Sequence, residues 1–312
     1  MAINREHVVW AYRLFLNREP ESEEVIQLKL AAYNSVEDLR RDFASSTEFQ
    51  NALGALALGN ATNIVIKEIG NGLRLFVDLA DTFIGRKVAD GTYEPDERGF
   101  IEKTLAAGDV AVDVGANIGY FTTLMAGKVG PAGHVYAFEP LPRNAALLAR
   151  SIEENRFKSR ISFHRAAVGA ESGELQLISP RTSLNWGGAY LRLKNSSIPA
   201  DHEAIAVGVV ALDEIDLRRP VKFIKIDAEG AELLGLRGAR RVLSEDRPLV
   251  LAEINPRQLR TVSQSSPNDL IEYMTQQGYR CHLFTPDERA EQIDRYDRSE
   301  IINVVFKPTK DS

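Results

Sequence analysis

Residues 111–121 read AVDVGANIGYF, and Glu139 in AFEP follows Gly119 by twenty positions. Gly115 and Gly119 bracket Ala116, Asn117 and Ile118 between an apolar run and a helical pattern. Glycine at such a turn permits a positive φ and lets a ligand come close to the backbone. The start of the following helix offers free N–H groups to a negatively charged ligand group. An acid about 20 residues further on is where ribose hydroxyls are met in dinucleotide-binding folds. Turn and acid together point to a nucleoside-containing ligand, with a tight β–α turn that binds nothing as the bland alternative.

The glycine spacing separates two such ligands. A pyrophosphate turn reads G-x-G-x-x-G, because the diphosphate needs bare backbone along its length. Here the pattern is D-x-G-x-x-x-G, with Asn117 in the middle of the turn. A methionine tail instead brings an ammonium, which Asp113 at the strand end can receive directly or through water, and a carboxylate for the backbone N–H groups. S-adenosylmethionine is therefore favoured over NAD.

These residues need a sheet to hold them. From residue 63 the chain alternates strand and helix patterns. NIVIKEI and LRLFVDL read as a hairpin joined at Gly70-Asn71-Gly72. VAVDV (110–114) and HVYAF (134–138) are apolar runs suited to buried parallel strands. RISFHRAAV (160–168) reads as a third strand, GELQLIS (173–179) as a short extra one, and IAVGVVAL, VKFIKID and PLVLAEI as further strands. GAELLGLRGARRVL reads as one helix and PNDLIEYMTQQG as a capped one, after which YRCHLF and EIINVVF can pair as closing antiparallel strands. Residues 180–204 read as an irregular loop, and loops of this length in compact domains are usually functional or disordered. This pattern is that of an α/β sheet wound on both faces, with its crevice at the carboxyl ends of the strands.

Residues 4–58 read as helical throughout. Val8, Val9, Tyr12, Phe15 and Leu16 share one face, a second helix starts after Pro20, and Ser35 with Asp38 resembles a capping box. EFQNALGALALG is expected as a last short helix. The domain boundary is accordingly expected between an N-terminal helical domain, 1–62, and a catalytic domain, 63–312. YRLFLNREPES…FASSTEF is similar to small helical modules appended to bacterial glycan-related proteins. A packing or homodimerising appendage is the plainer expectation, and a partner- or substrate-binding module the alternative.

Composition narrows the partners. The net charge is −6 and 26% of the residues are charged, which gives no electrostatic reason for nucleic-acid or anionic-membrane binding. The single cysteine, Cys281, excludes an intrachain disulfide and falls at an alternating strand position. No run approaches the ~20 apolar residues of a membrane span, and the first residues lack the core of a signal peptide, so cytoplasmic residence is the default expectation.

The segments GTYEPDERGFIEKTLAAGDVAVDVGANIGYFT, FEP, HRAAVG, KFIKIDAEGAELLGLRGARRVL and LVLAEI, in this order and spacing, resemble the FkbM family of S-adenosylmethionine-dependent methyltransferases. The likeness runs from about 90 to 255 and weakly to 307. It implies a class I, Rossmann-like methyltransferase sheet of seven strands, the last antiparallel. It also implies that Glu139, followed by Pro140, binds the ribose. Asp113, Gly115, Ala116, Asn117, Gly119 and Tyr120 would then line the methionine end, and Tyr93-Glu94-Pro95 would close over the cofactor. Ala166 and Ala167 would leave room for adenine.

A hydroxyl acceptor must lose a proton as it takes a methyl group, so a base or a metal is useful. Asp227 in KIDAEGAE, at the end of the fourth strand, is the first candidate for base or Mg²⁺ ligand, and Glu229 the second. Glu229 alternatively caps the helix starting near Gly230. The five histidines lack zinc-ligand spacing. His164 is a candidate base or a packing residue. Glu253 in LAEIN can face substrate, and Trp186 can stack on a sugar or anchor its loop. The expected reaction is O-methylation of a sugar hydroxyl in a glycan or of a secondary metabolite. The alternatives are N-methylation of a peptide or amide side chain and a non-catalytic cofactor-binding module.

Overall fold

The structure is a computed structural model that describes residues 3–16, 18–46, 48–49, 63–180, 186–192, 198–285 and 291–309, with the side chains of Ser45 and Trp186 left out. The chain divides into two compact units, Met1–Asn60 and Ala61–Ser312. Residues 51–62, where the expected boundary falls, lie outside the described residues, as does most of the helix expected over EFQNALGALALG.

In the first unit, helices Arg5–Leu16, Glu23–Ala32 and Val36–Ser45 form where the apolar spacing and capping serines place them. Val8, Val9 and Tyr12 bury against Ile26, Leu39 and Phe43, with the Tyr12 and Phe43 rings edge-on at 4.9 Å. The Ser22 and Ser35 hydroxyls accept from the Val25 and Asp38 N–H groups and so start the second and third helices.

The second unit opens with a hairpin, β1 (Ile64–Glu68) and β2 (Arg74–Asp78), turned through Gly70, Asn71 and Gly72, all at positive φ. Its core is an eight-stranded sheet ordered β13-β12-β14-β11-β10-β3-β4-β5. These strands are β3 (Val110–Val114), β4 (His134–Phe138), β5 (Ile161–His164), β10 (Val221–Ile226), β11 (Leu249–Ile254), β12 (Tyr279–Leu283), β13 (Gln292–Ile293) and β14 (Ile302–Pro308). β5, β4, β3, β10 and β11 run parallel, and β14 runs antiparallel to both β11 and β12. This is the class I methyltransferase order, extended by the two-residue edge strand β13. Every residue of β3 and β4 is buried, as continuous apolar runs in a sheet covered on both faces require.

Three features depart from the sequence expectation. The run 160–168 is two strands: β5 stays in the main sheet, while β6 (Ala166–Val168) joins a second sheet. That second sheet has the order β6-β9-β7-β8, with β7 (Gly173–Pro180), β8 (Tyr190–Arg192) and β9 (His202–Val210). Part of the stretch expected as an irregular loop, 180–204, thus becomes the strand β8 and the start of β9. Finally, the helix expected over 230–243 is broken into Glu232–Arg237 and Arg240–Glu245. The backbone of Gly169 presses on Gly238 between them, where a Cβ would overlap its carbonyl oxygen.

Candidate functional site

The turn after β3 is held by its own backbone. Gly115, Asn117 and Gly119 have φ of 79°, 53° and 92°. A Cβ on Gly115 would overlap the carbonyl oxygen of Asp227, and one on Gly119 would strike Leu148. The glycines are therefore required for close packing of turn, β10 and the helix Pro142–Glu154. Asparagine tolerates the left-handed conformation because its short side chain bonds locally, and the Asn117 Oδ1 accepts from the Ile118 N–H at 2.8 Å.

Glu139 joins this turn to the next one. Its Oε2 accepts from the Asn117 N–H at 2.8 Å and its Oε1 from the Leu141 N–H at 2.7 Å, with the residue only 5% exposed. Burial pushes its carboxyl pKa up to about 7, against those two bonds. Each oxygen keeps a second lone pair for an incoming hydroxyl. Asp113, 1% exposed, accepts from the Thr122 hydroxyl through Oδ2, whereas Oδ1 is buried without a partner. Burial raises its pKa, with the Lys225 charge opposing.

The opposite wall is built from the ends of β10 and β11. Lys225, 5% exposed, places its Nζ 3.2 Å from Asp227 Oδ2 and 4.8 Å from the centre of the Phe121 ring. Burial works against its charge, but Asp227, Glu94 and Asp113 outweigh it and hold the ammonium above its ordinary range. Glu229 sits at φ 48°, with Gln258 donating to its Oε2 at 3.4 Å. Burial and the nearby Asp227 and Glu232 push its pKa up to about 8. Burial, Asp227 and Glu229 push Glu253 up to about 9. Burial also raises Glu94 and takes the Tyr93 hydroxyl well above its usual value. The Tyr93 ring packs edge-on against Tyr120 at 5.2 Å. Glu232, the first residue of its helix, turns its Oε1 back to accept from the N–H groups of Ala228 (2.9 Å) and Gly230 (3.1 Å) in the preceding turn. Glu229 is left facing the cavity.

These walls enclose a cavity of about 250 Å³. Of the residues singled out in the sequence, Tyr93, Glu94, Gly115, Ala116, Asn117, Tyr120, Glu139, Pro140, Ala167, Asp227, Glu229 and Glu253 line it. Asp113, Gly119 and Ala166 do not; they support the lining from behind β3, the turn and β6. His164 does not line the cavity; its ring stacks at 4.7 Å and 13° on Phe138, which does, and burial lowers its pKa. The Trp186 side chain lies outside the described residues, although Gly187 and Ala189 beside it line the cavity.

Sequence reasoning missed Lys225, Asn144, Phe83 and the cover supplied by Leu177 and Leu191 of the second sheet. Lys225 carried a signal, a charge between the apolar Ile224 and Ile226 near the end of the run VKFIKI, two residues from Asp227. The expected Mg²⁺ is corrected. Asp227, its intended ligand, already pairs with the Lys225 ammonium, and among the described residues no group of three or more His, Cys, Asp or Glu is arranged to hold a metal. The donor set does not fit the ion.

Comparison with known proteins bears on this cavity. A family model described as the methyltransferase FkbM domain matches residues 113–281. A protein-L-isoaspartate O-methyltransferase from Methanothrix thermoacetophila is 36% identical over 55 residues, 18% of this chain and 26% of its own length. Methyltransferase 1 from Beauveria bassiana is 29% identical over 143 residues, 41% of this chain and 57% of its own. The chain thus spans about a quarter and just over half of these relatives. Among solved structures, methyltransferase FkbM from Methylobacillus flagellatus is 19% identical with a TM-score of 0.41, covering 84% of this chain and 60% of that one.

Proposed function

The chain belongs to the FkbM methyltransferase family, and on that premise we propose that it transfers a methyl group from S-adenosylmethionine to a hydroxyl oxygen of a sugar in a glycan or of a secondary metabolite. The observation that carries this reading is the cluster of Asp227, Glu229 and Glu253 on the cavity wall opposite the glycine turn. Carboxyl groups are the natural partners of a polyhydroxylated acceptor, accepting from its hydroxyls when ionised and donating to its oxygens when protonated.

The residues present fit the cofactor. Glu139 has lone pairs left for the ribose diol, and the turn at positive φ keeps its backbone close to the cavity. When bound, the cofactor supplies a methyl group on a sulfonium, transferable in line to an oxygen held about 3 Å away. Asp227 takes the acceptor's hydroxyl proton, with Lys225 fixing its carboxylate at 3.2 Å. Glu229 and Glu253, with pKa raised to about 8 and about 9, remain largely protonated at neutral pH and donate hydrogen bonds to the acceptor's other oxygens. Tyr93 and Leu177 restrict water on the flanks.

The test is transfer of labelled methyl groups to a panel of free sugars, glycans, phenols and peptide amides, with wild type and Asp227→Asn. Sugar or other hydroxyl acceptors should be labelled, and Asp227→Asn should lower turnover at least ~100-fold with cofactor affinity little changed. Labelling confined to amide nitrogen, or full turnover by Asp227→Asn, would overturn the proposal.

A further inference from the structure

Asn144 stands on the first turn of the helix Pro142–Glu154, whose leading Leu141 N–H bonds Glu139 Oε1. It lines the cavity together with Glu139 and Pro140, yet is only 3% exposed. Nothing among the described residues hydrogen-bonds its carboxamide. Its carboxamide is therefore open toward the cavity and available to a ligand there, while the rest of the residue is packed away.

We propose that Asn144 is a nucleoside-binding residue, its carboxamide N–H donating to a ribose hydroxyl oxygen that Glu139 binds from the other side. The inference rests on the cofactor reading above and deepens it. The chemistry of Glu139 demands such a complement. An ionised carboxylate only accepts, so a ribose diol that donates both its protons to Glu139 still presents oxygen lone pairs inside a buried site. An amide on the same helix start is a donor suited to them. The Lys225 ammonium is committed to the opposite wall by Asp227. The arrangement also explains why a helix start carries a buried asparagine where an apolar residue would pack at no polar cost.

The experiment is calorimetric binding of S-adenosylhomocysteine and its 2′-deoxy and 3′-deoxy analogues to the full-length wild type, Asn144→Ala and Asn144→Asp, with ligand-free thermal unfolding of each. Asn144→Ala should weaken S-adenosylhomocysteine about 10-fold and at least one deoxy analogue by less than 2-fold, because that analogue lacks the oxygen being read. Asn144→Asp, which swaps the donor for an acceptor beside Glu139, should weaken the parent ligand more than alanine does. The ligand-free unfolding temperature of Asn144→Ala should be unchanged or raised, since no protein hydrogen bond is lost. Equal losses for all three ligands, or no loss for the parent ligand, would overturn the assignment. Failure of the wild type to bind S-adenosylhomocysteine at all would instead overturn the cofactor reading.

Discussion

Replacing Gly115 by alanine tests whether the glycine turn and the end of β10 form one packed unit. Gly115 lies at φ +79°, and an added Cβ would come within 3.0 Å of both the carbonyl oxygen and the carbonyl carbon of Asp227. Two costs add. The left-handed conformation costs alanine about 1–2 kcal/mol, and forcing a methyl group into packed backbone costs about 1–3 kcal/mol more. The sum, about 2–5 kcal/mol, is a large fraction of the ~5–15 kcal/mol of a typical domain. Gly91 supplies the control: it has φ +72° but nothing within 4 Å of the added Cβ, so Gly91→Ala carries the conformational cost alone. Urea unfolding of both variants, read on the transition that S-adenosylhomocysteine shifts, isolates the steric part as their difference. Because the clash displaces Asp227, Gly115→Ala should also weaken the ligand more than 10-fold while Gly91→Ala leaves it unchanged. Equal destabilisation by the two alanines, to within ~0.5 kcal/mol, would refute the argument that β10 presses on the turn.

Other consequences are as direct. Glu139→Gln leaves either the Asn117 or the Leu141 N–H without an acceptor; it should cost about 1–3 kcal/mol in unfolding and at least ~10-fold in S-adenosylhomocysteine affinity, and full affinity in calorimetry would remove it from the ribose site. Lys225→Met removes the cation facing Asp227, Glu94 and Asp113; denaturation at pH 5 and pH 8 should show the larger loss, about 3–5 kcal/mol, at the higher pH. The ligand-free protein should lose stability as pH rises from about 4.5 to 9. Glu139, Glu229 and Glu253, raised from 4.5 to about 7, about 8 and about 9, keep protons in the folded state that the unfolded chain has already released. An unfolding temperature that climbs between pH 6 and 9 would contradict those environments.

The pattern D-x-G-x-x-x-G, the acid at 139 and the apolar runs around them determined a great deal. Strand type, the side of the sheet that bears the site and the class of ligand all follow from local rules: glycine where φ is positive, continuous apolar runs where both faces are covered, acids at strand ends. Those rules act between neighbours in the chain, so the sequence displays them. The second sheet was not legible. Its cover of the cavity depends on β6 leaving the line of β5 at Arg165 and pairing with β9 forty residues later, as Ala167 does with Val209, and no local period announces such a pairing. The partners of two nearby glutamates were likewise a question of reach in space: Glu232 bends back to the N–H groups of Ala228 and Gly230, while Glu229 lines the cavity. The same holds for burial. His164 stacks on Phe138, Asp227 acquired Lys225 as its partner, and Asn144 came to line the cavity beside Glu139, because low exposure and the company of distant strands are properties of the packed chain and not of any stretch of it.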